Sequence, residues 1–200
     1  MSSVFLTNLP QLAILQFEGD QALELLQGQL TADVTQVTAN QALPASLCNA
    51  KGRVISNFEV ICLNRSSLAL VFPLANLAAV EAHFAKFLPF YKVAINNLTA
   101  AYTLLGLSGK DVPAMVTSLL GTWPKADYLQ ALVEQGVLVH LPGPLARALL
   151  VLDNNFSGLQ DLVEKLTNLA TPATEDCWNL LDIKTGRAQI APVISEKFLP

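Results

Sequence analysis

Charge is scarce in this sequence: 14% of its 200 residues are Asp, Glu, Lys or Arg, against 52% hydrophobic. That is apolar for a protein that folds in water. Long hydrophobic runs are nevertheless missing. No uninterrupted stretch approaches the roughly 20 residues that span a bilayer, so no membrane-spanning helix is expected. Cysteine is equally sparse. Cys48, Cys62 and Cys177 are odd in number and widely separated, which points to neither a disulfide framework nor a metal cluster. Reduced thiols in a cytoplasmic core are the expectation. A basic excess is also absent. The net charge of −4 argues against a protein that coats nucleic acid. It leaves room for a local basic pocket, for which Lys51, Arg53, Lys184 and Arg187 are the candidates. The first residues, "MSSVFLTNLPQLAIL", carry neither a basic leader nor a small-residue cleavage site, so no signal peptide is expected. No internal repeat and no low-complexity linker interrupts the chain.

What is present is a mixture of hairpins and helices. "LAILQFEG", Leu12 to Gly19, reads as a strand. Asp20 is placed to cap a helix running to about Gly28, with Leu23, Leu26 and Leu30 at helical spacing. "PASLCNAKGRVISNFEVICL" reads as two strands joined by the turn Asn49-Ala50-Lys51-Gly52. "NRSS" marks another turn before the strand "LALVF". Helical spacing covers Leu74 to Leu88, with Leu77, Val80, Phe84 and Phe87 on one face. "YKVAINN" and "YTLLGLSG" read as strands. Asp111 is placed to cap "VPAMVTSLL", with Pro113 in its first turn. "VLVHLPG" and "ARALLVLD" form a strand pair. "FSGLQDLVEKLTNLA" is an amphipathic helix, and "PATEDCWNLLDIKTG" a last helix between Thr174 and Gly186. The order predicts an α+β fold with mixed or antiparallel sheets and packed helices, not a βαβ repeat. A first region is expected over 1–110 and a second over 111–200.

Conventional catalytic chemistry is not legible. His83 and His140 have no Cys, His or acidic partner at ligand spacing and read as structural. "GLSGK", with Gly106 and Gly109, fits no phosphate-loop or dinucleotide fingerprint and reads as a turn. Asp33 and Asp182 are isolated carboxylates. "CNAKGRVISNFEV", residues 48–60, reads either as a solvated turn or as an anion-binding one.

The stretches "GDQALELLQGQLTADV" and "LCNAKGRVISNF" resemble the YgfZ-type folate-binding proteins, relatives of the glycine-cleavage aminomethyltransferases. "FLPFYKVAINNL", "YTLLGLSG", "WNLLDIKTGRAQI" and "SEKFLP" continue the resemblance in order, so that it covers nearly the whole chain from Leu12. It implies an aminomethyltransferase-like folate-binding fold, folate or tetrahydrofolate as ligand, and no metal. It also implies a cytoplasmic role in iron–sulfur enzyme maintenance and tRNA modification, with iron–sulfur enzymes as partners and no direct nucleic-acid or membrane contact. In the family, a segment like "EKFLP" is followed by a Lys-Gly-Cys-(Tyr or Phe)-x-Gly-Gln-Glu motif and then a small β-barrel. The sequence stops at Pro200, ahead of both. A C-terminal barrel is therefore expected to be absent, whether the chain is a fragment or a truncated gene product.

The resemblance also assigns residues. The aminomethyltransferases carry an Asp-Asp pair where Ser56 and Asn57 align here. Their acid chemistry needs a carboxylate, and Ser or Asn cannot serve as general base. No catalytic residue is therefore expected, and a tetrahydrofolate-dependent aminomethyltransferase is the rival reading. A ligand-free interaction module is the other. The family's folate pocket is lined by the Lys-Gly-Arg hairpin and by the "WNLLDIKTG" helix. Lys51 and Arg53 would meet the glutamate carboxylates of folate. Trp178 would either stack on the pterin or be a core tryptophan. A second tryptophan position falls at Leu12. Lys184 stands where relatives have a glutamate that accepts the pterin N–H donors, which a lysine cannot do. Asp182 could replace that acceptor after a shift of helix register. The folate-contacting set so implied is Lys51, Arg53, Asn57, Trp178, Asp182, Lys184 and Arg187.

Overall fold

A computed structural model describes residues 4–200. Its secondary structure is α+β, with the strands in two open sheets of six and five. The chain divides into two compact units, each built from two stretches. One comprises the residues up to Pro10 with Ala100–Arg187; the other comprises Gln11–Thr99 with Ala188–Pro200. The division expected near residue 110 follows chain order, whereas these units do not. The earliest strand joins strands of the later half, and the last residues return to the earlier half.

In the first of these units the sheet collects β1 (Phe5–Asn8), β7 (Tyr102–Ser108), β8 (Gln130–Val133), β9 (Gly136–Leu141), β10 (Arg147–Asp153) and the short β11 (Thr171–Pro172). Their order is β11-β1-β7-β10-β9-β8, with β1 and β11 parallel and the other pairs antiparallel. Side chains alternate between the two faces of a strand. Leu105 and Leu107 of β7 and Ala148, Leu150 and Leu152 of β10 share one face. They pack with Val112 and Val116 of α3 (Val112–Leu120) and Leu162 and Leu166 of α4 (Leu159–Leu169). The alternate positions, including Gly106 and Arg147, belong to the other face. A third helix, α5 (Glu175–Lys184), contributes the buried Trp178 and Asp182.

The other unit holds β2 (Leu12–Glu18), β3 (Leu43–Cys48), β4 (Val54–Asn64), β5 (Ser67–Pro73) and β6 (Ala94–Asn97), in the antiparallel order β3-β4-β5-β2-β6. Its helices are α1 (Ala22–Gln29) and α2 (Leu77–Phe84). Phe17 and Phe84 meet edge-on with centroids 4.8 Å apart, and Phe58 and Phe72 do so at 5.1 Å.

Several expectations shift in detail. The N-cap of α1 is Gln21, not Asp20, and the helix buries Ala22, Leu25 and Leu26 while Leu23 faces solvent. Residues 74–88 are not one helix. A 3-10 turn (Leu74–Asn76) precedes α2, and another (Leu88–Phe90), with Pro89 in its first turn, follows it. Proline has no N–H to continue an α-helical ladder. Strands β1, β8 and β11 have no counterpart in the sequence reading.

Candidate functional site

The β3–β4 hairpin closes through local hydrogen bonds. Gly52 N donates to Asn49 O at 2.9 Å, and Asn49 N donates to Arg53 O at 2.8 Å. The Asn49 side chain accepts from Lys51 N at 2.9 Å and Arg53 N at 3.0 Å. A bulge displaces the register between Leu47 and Cys48. This is the turn chemistry expected of an Asn-x-x-Gly loop. It leaves Lys51 and Arg53 exposed at the tip.

Beyond the tip, β4 is longer than its neighbour. β5 pairs with it only from Glu59 onward. The first half of β4 is met by the returning segment 188–198. Val54 N donates to Phe198 O at 2.9 Å, and Glu196 N donates to Val54 O at 2.7 Å. Ser195 Oγ donates to Ile55 O at 3.0 Å. Asn57 holds the same segment with its amide: Nδ2 donates to Ala188 O, and Oδ1 accepts from Ile190 N at 3.0 Å. Asn76, 2% exposed, donates to Ile190 O at 2.5 Å and to Ser56 Oγ at 3.1 Å. Where the aminomethyltransferase resemblance predicts the loss of two carboxylates, the chain thus has a buried hydroxyl and a peptide clamp.

Segment and hairpin together border an open recess of about 620 Å³ lined by Asn49, Ala50, Lys51, Arg53, Glu196 and Lys197. Arg53 Nη1 donates to Lys197 O at 3.1 Å, tying the two walls together. Three cations and one carboxylate therefore face one space. An arginine here offers paired donors to a carboxylate, and each lysine a compact charge.

The remaining candidates lie in the other unit and form a second cluster. Asp182 Oδ1 accepts from Arg147 Nη1 at 2.6 Å and from Arg187 Nη1 at 2.8 Å. Arg147 is fully buried. Its Nη2 donates to Trp178 O at 3.2 Å, and its Cζ lies 3.7 Å from the centroid of the Trp178 ring. Trp178 is 3% exposed. It reaches the sheet over Gly106, where a Cβ would come within 2.5 Å of Trp178 Cε3. The end of α5 explains the placement of Arg187. Gly186 N donates to Ile183 O at 3.1 Å and Arg187 N to Asp182 O at 2.9 Å, with Gly186 at φ 69°. This Schellman turn needs a left-handed residue, and it folds Arg187 back onto Asp182. Lys184 is exposed on the same helix. The cap at the other end is the expected Thr174, which accepts from Cys177 N.

The structure thus brings Lys51, Arg53 and Asn57 into one unit and Trp178, Asp182, Lys184 and Arg187 into the other. Sequence reasoning missed Arg147, Lys197 and the role of Gly106. A fully apolar strand beginning with arginine ("RALLVLD") was the available signal for the first; a buried arginine needs a carboxylate. The two histidines are held structurally. His83 Nε2 lies 3.0 Å from Gln29 Oε1, and His140 Nδ1 lies 2.9 Å from Pro124 O. Burial pushes the Cys48 and Cys62 thiols up, away from thiolate reactivity. Among the described residues no three His, Cys, Asp or Glu side chains group as a metal site. No helix among them is long and apolar enough to cross a membrane.

Comparison with known proteins agrees with this architecture. The tRNA-modifying protein YgfZ of Yersinia pestis is 29% identical over 195 residues, covering 98% of this chain and 58% of the relative. Its counterpart in Yersinia enterocolitica is 31% identical over 197 residues, with the same coverage. The chain therefore spans somewhat over half the length of these curated relatives. Among solved structures, the glycine cleavage system aminomethyltransferase T from Bartonella henselae superposes with a TM-score of 0.80 at 17% identity, over 96% of this chain and 54% of that one. A heterotetrameric sarcosine oxidase from Corynebacterium sp. U-96 reaches 0.52 at 14% identity, over 84% and 86%. At such identities the likeness is one of fold. The family model described as the GCVT N-terminal domain matches residues 1–131, more than half of the sequence, and the chain belongs to that family.

Proposed function

We propose that this chain is a cytoplasmic folate-binding protein of the YgfZ type, serving tRNA modification and the maintenance of iron–sulfur enzymes without transferring an aminomethyl group. The observation that carries the reading is the recess lined by Lys51, Arg53 and Lys197, on the hairpin that bears the family's Lys-Gly-Arg turn. Its donors fit an anionic carboxylate ligand. Lys51 and Arg53 hold the glutamate end of folate there, since a cation beside a carboxylate makes a charge-assisted hydrogen bond. Trp178, Asp182 and Arg187 are engaged with Arg147 and with one another. For Trp178 to stack on a pterin with the face that Arg147 covers, Arg147 has to move aside. Ser56 and Asn57 support the absence of aminomethyl transfer, because both are engaged in holding the returning segment and neither is a carboxylate. A net charge of −4 favours action on protein partners rather than direct contact with the tRNA backbone.

The test compares folate with pteroate, which lacks the glutamate, on the wild-type chain and on a Lys51→Gln/Arg53→Gln variant. The double substitution weakens folate by about tenfold, equivalent to ~1.4 kcal/mol, and leaves pteroate nearly unchanged. Added salt reproduces the loss by screening. Equal loss for both ligands would show that the cations support the fold and not the tail.

A further inference from the structure

We propose that a second recess, between α2 and the returning segment, is a binding site for an aliphatic ω-amino acid: an ammonium and a carboxylate joined by an apolar stem. It lies wholly within the unit of Gln11–Thr99 and Ala188–Pro200 and does not depend on the folate reading. Its volume is about 420 Å³, and its lining falls into three parts. Asn76, Ser195 and Glu196 bring acceptors. Ala75, Ala79 and Ala82 make a floor along α2, walled by Ile55 and Pro192. His83 and Lys86 make the far end. Asn76 is 2% exposed, and its Nδ2 donates to Ile190 O and Ser56 Oγ. Its Oδ1, at the other end of the amide, receives no hydrogen bond from any described residue. The acceptor of a buried side chain is thus left for a donor that enters the recess. Ser195 Oγ donates to Ile55 O, next along β4 from Ser56. That uses its proton and leaves its lone pairs. With the Glu196 carboxylate, these acceptors match the three N–H donors of one primary ammonium.

At the far end, His83 Nε2 lies 3.0 Å from Gln29 Oε1, which can only accept, so Nε2 carries a proton. Burial first, and Lys86 second, favour the neutral ring. Lys86 is then the one cation among the lining residues, and Glu196 the one anion. A zwitterion answers both, whereas a simple amine or a simple acid leaves one of them unmet. Spacing sets the stem. Asn76 and His83 are about 10 Å apart along the axis of α2 at the ordinary helical rise, and Lys86 lies beyond. The ammonium and carboxylate of an α-amino acid are too close together to reach both ends. The floor decides what joins them. Alanine methyls, Ile55 and Pro192 give contact to methylenes, but their side chains offer no partner to peptide groups, whose burial without hydrogen bonds is costly.

The experiment titrates the chain by calorimetry at low salt with ε-aminocaproate, hexylamine, caproate and triglycine. ε-Aminocaproate binds saturably. Hexylamine and caproate, each lacking one charged end, bind about threefold to fivefold more weakly, the scale of one solvated ion pair. Triglycine, a zwitterion of similar length with a polar stem, binds more weakly than ε-aminocaproate. Lys86 and Glu196 are both exposed, so their substitution leaves the fold intact. Lys86→Gln lowers the affinity for ε-aminocaproate and caproate by about threefold to fivefold and spares hexylamine. Glu196→Gln lowers ε-aminocaproate and hexylamine and spares caproate. Ala79 is exposed on α2, where leucine is a good helix former. Ala79→Leu covers the floor and removes ε-aminocaproate binding while far-ultraviolet circular dichroism stays unchanged. No saturable binding of ε-aminocaproate, triglycine binding as tightly, or an affinity that ignores Ala79→Leu overturns the inference. Displacement of bound ε-aminocaproate by folate would make the two recesses one site and overturns it equally.

Discussion

Asn57 uses both hydrogen-bonding ends of its side-chain amide. One donates to Ala188 O and the other accepts from Ile190 N. An aspartate keeps the acceptor but sets a carboxylate oxygen against the Ala188 carbonyl. Asn57→Asp should therefore destabilise the chain by about 1–2 kcal/mol, the scale of a lost hydrogen bond plus an unanswered acceptor. Urea denaturation would detect it, and unchanged stability would mean that segment 188–198 is held by its backbone contacts alone. Gly106 is constrained from the opposite direction, by space. A methyl group there meets the Trp178 ring, so Gly106→Ala should cost about 1–3 kcal/mol by overpacking. Near-ultraviolet circular dichroism of the tryptophans would change with it.

The helix α5 shows at the level of an element what sequence can and cannot reveal. Its limits were legible because they are local: Thr174 caps one end, and Gly186 closes the other. Its Asp182 reads as an isolated carboxylate in the sequence because nothing near it along the chain pairs with it. Arg147, 35 residues away, does so in the fold. The same contrast runs through the molecule. The Asn49–Gly52 hairpin was readable from its own four residues, whereas the return of Ala188 and Ile190 to Asn57 depends on contacts made only after folding. Strands β1 and β8 escaped because four-residue runs give too little alternation to count. The α5 cluster carries a sharp expectation. Asp182→Asn leaves the buried Arg147 facing an amide, and the loss should be about 3–5 kcal/mol, as for other broken buried pairs. Replacing Arg147 and Asp182 together by Met and Leu should cost less than either single change. A thermal-shift series separates the two, and a harmless Asp182→Asn would show that the ion pair contributes little.

For the whole molecule, scarce charge makes stability depend on few titrating groups. His83 is one. Half-buried between Phe84 and Phe87 and beside Gln29, its imidazole is held below the ordinary value of 6.5 by burial first and by Lys86 second. The fold thus favours neutral His83. As pH falls below about 6.5, the unfolded chain takes up a proton that the folded one resists, and stability is lost until pH passes the lower folded value. His83→Gln should flatten the stability profile below about pH 6.5; an unchanged slope would place the acid sensitivity elsewhere.

The proposed role of Lys51, Arg53 and Lys197 is to hold folate at the recess they line. Equilibrium dialysis of tetrahydrofolate against the chain at low ionic strength tests it most directly. Saturable binding at one site per chain is expected, weakened about tenfold when Lys51 and Arg53 are both glutamine. Absence of saturable binding, or binding that ignores both substitutions and added salt, would contradict it.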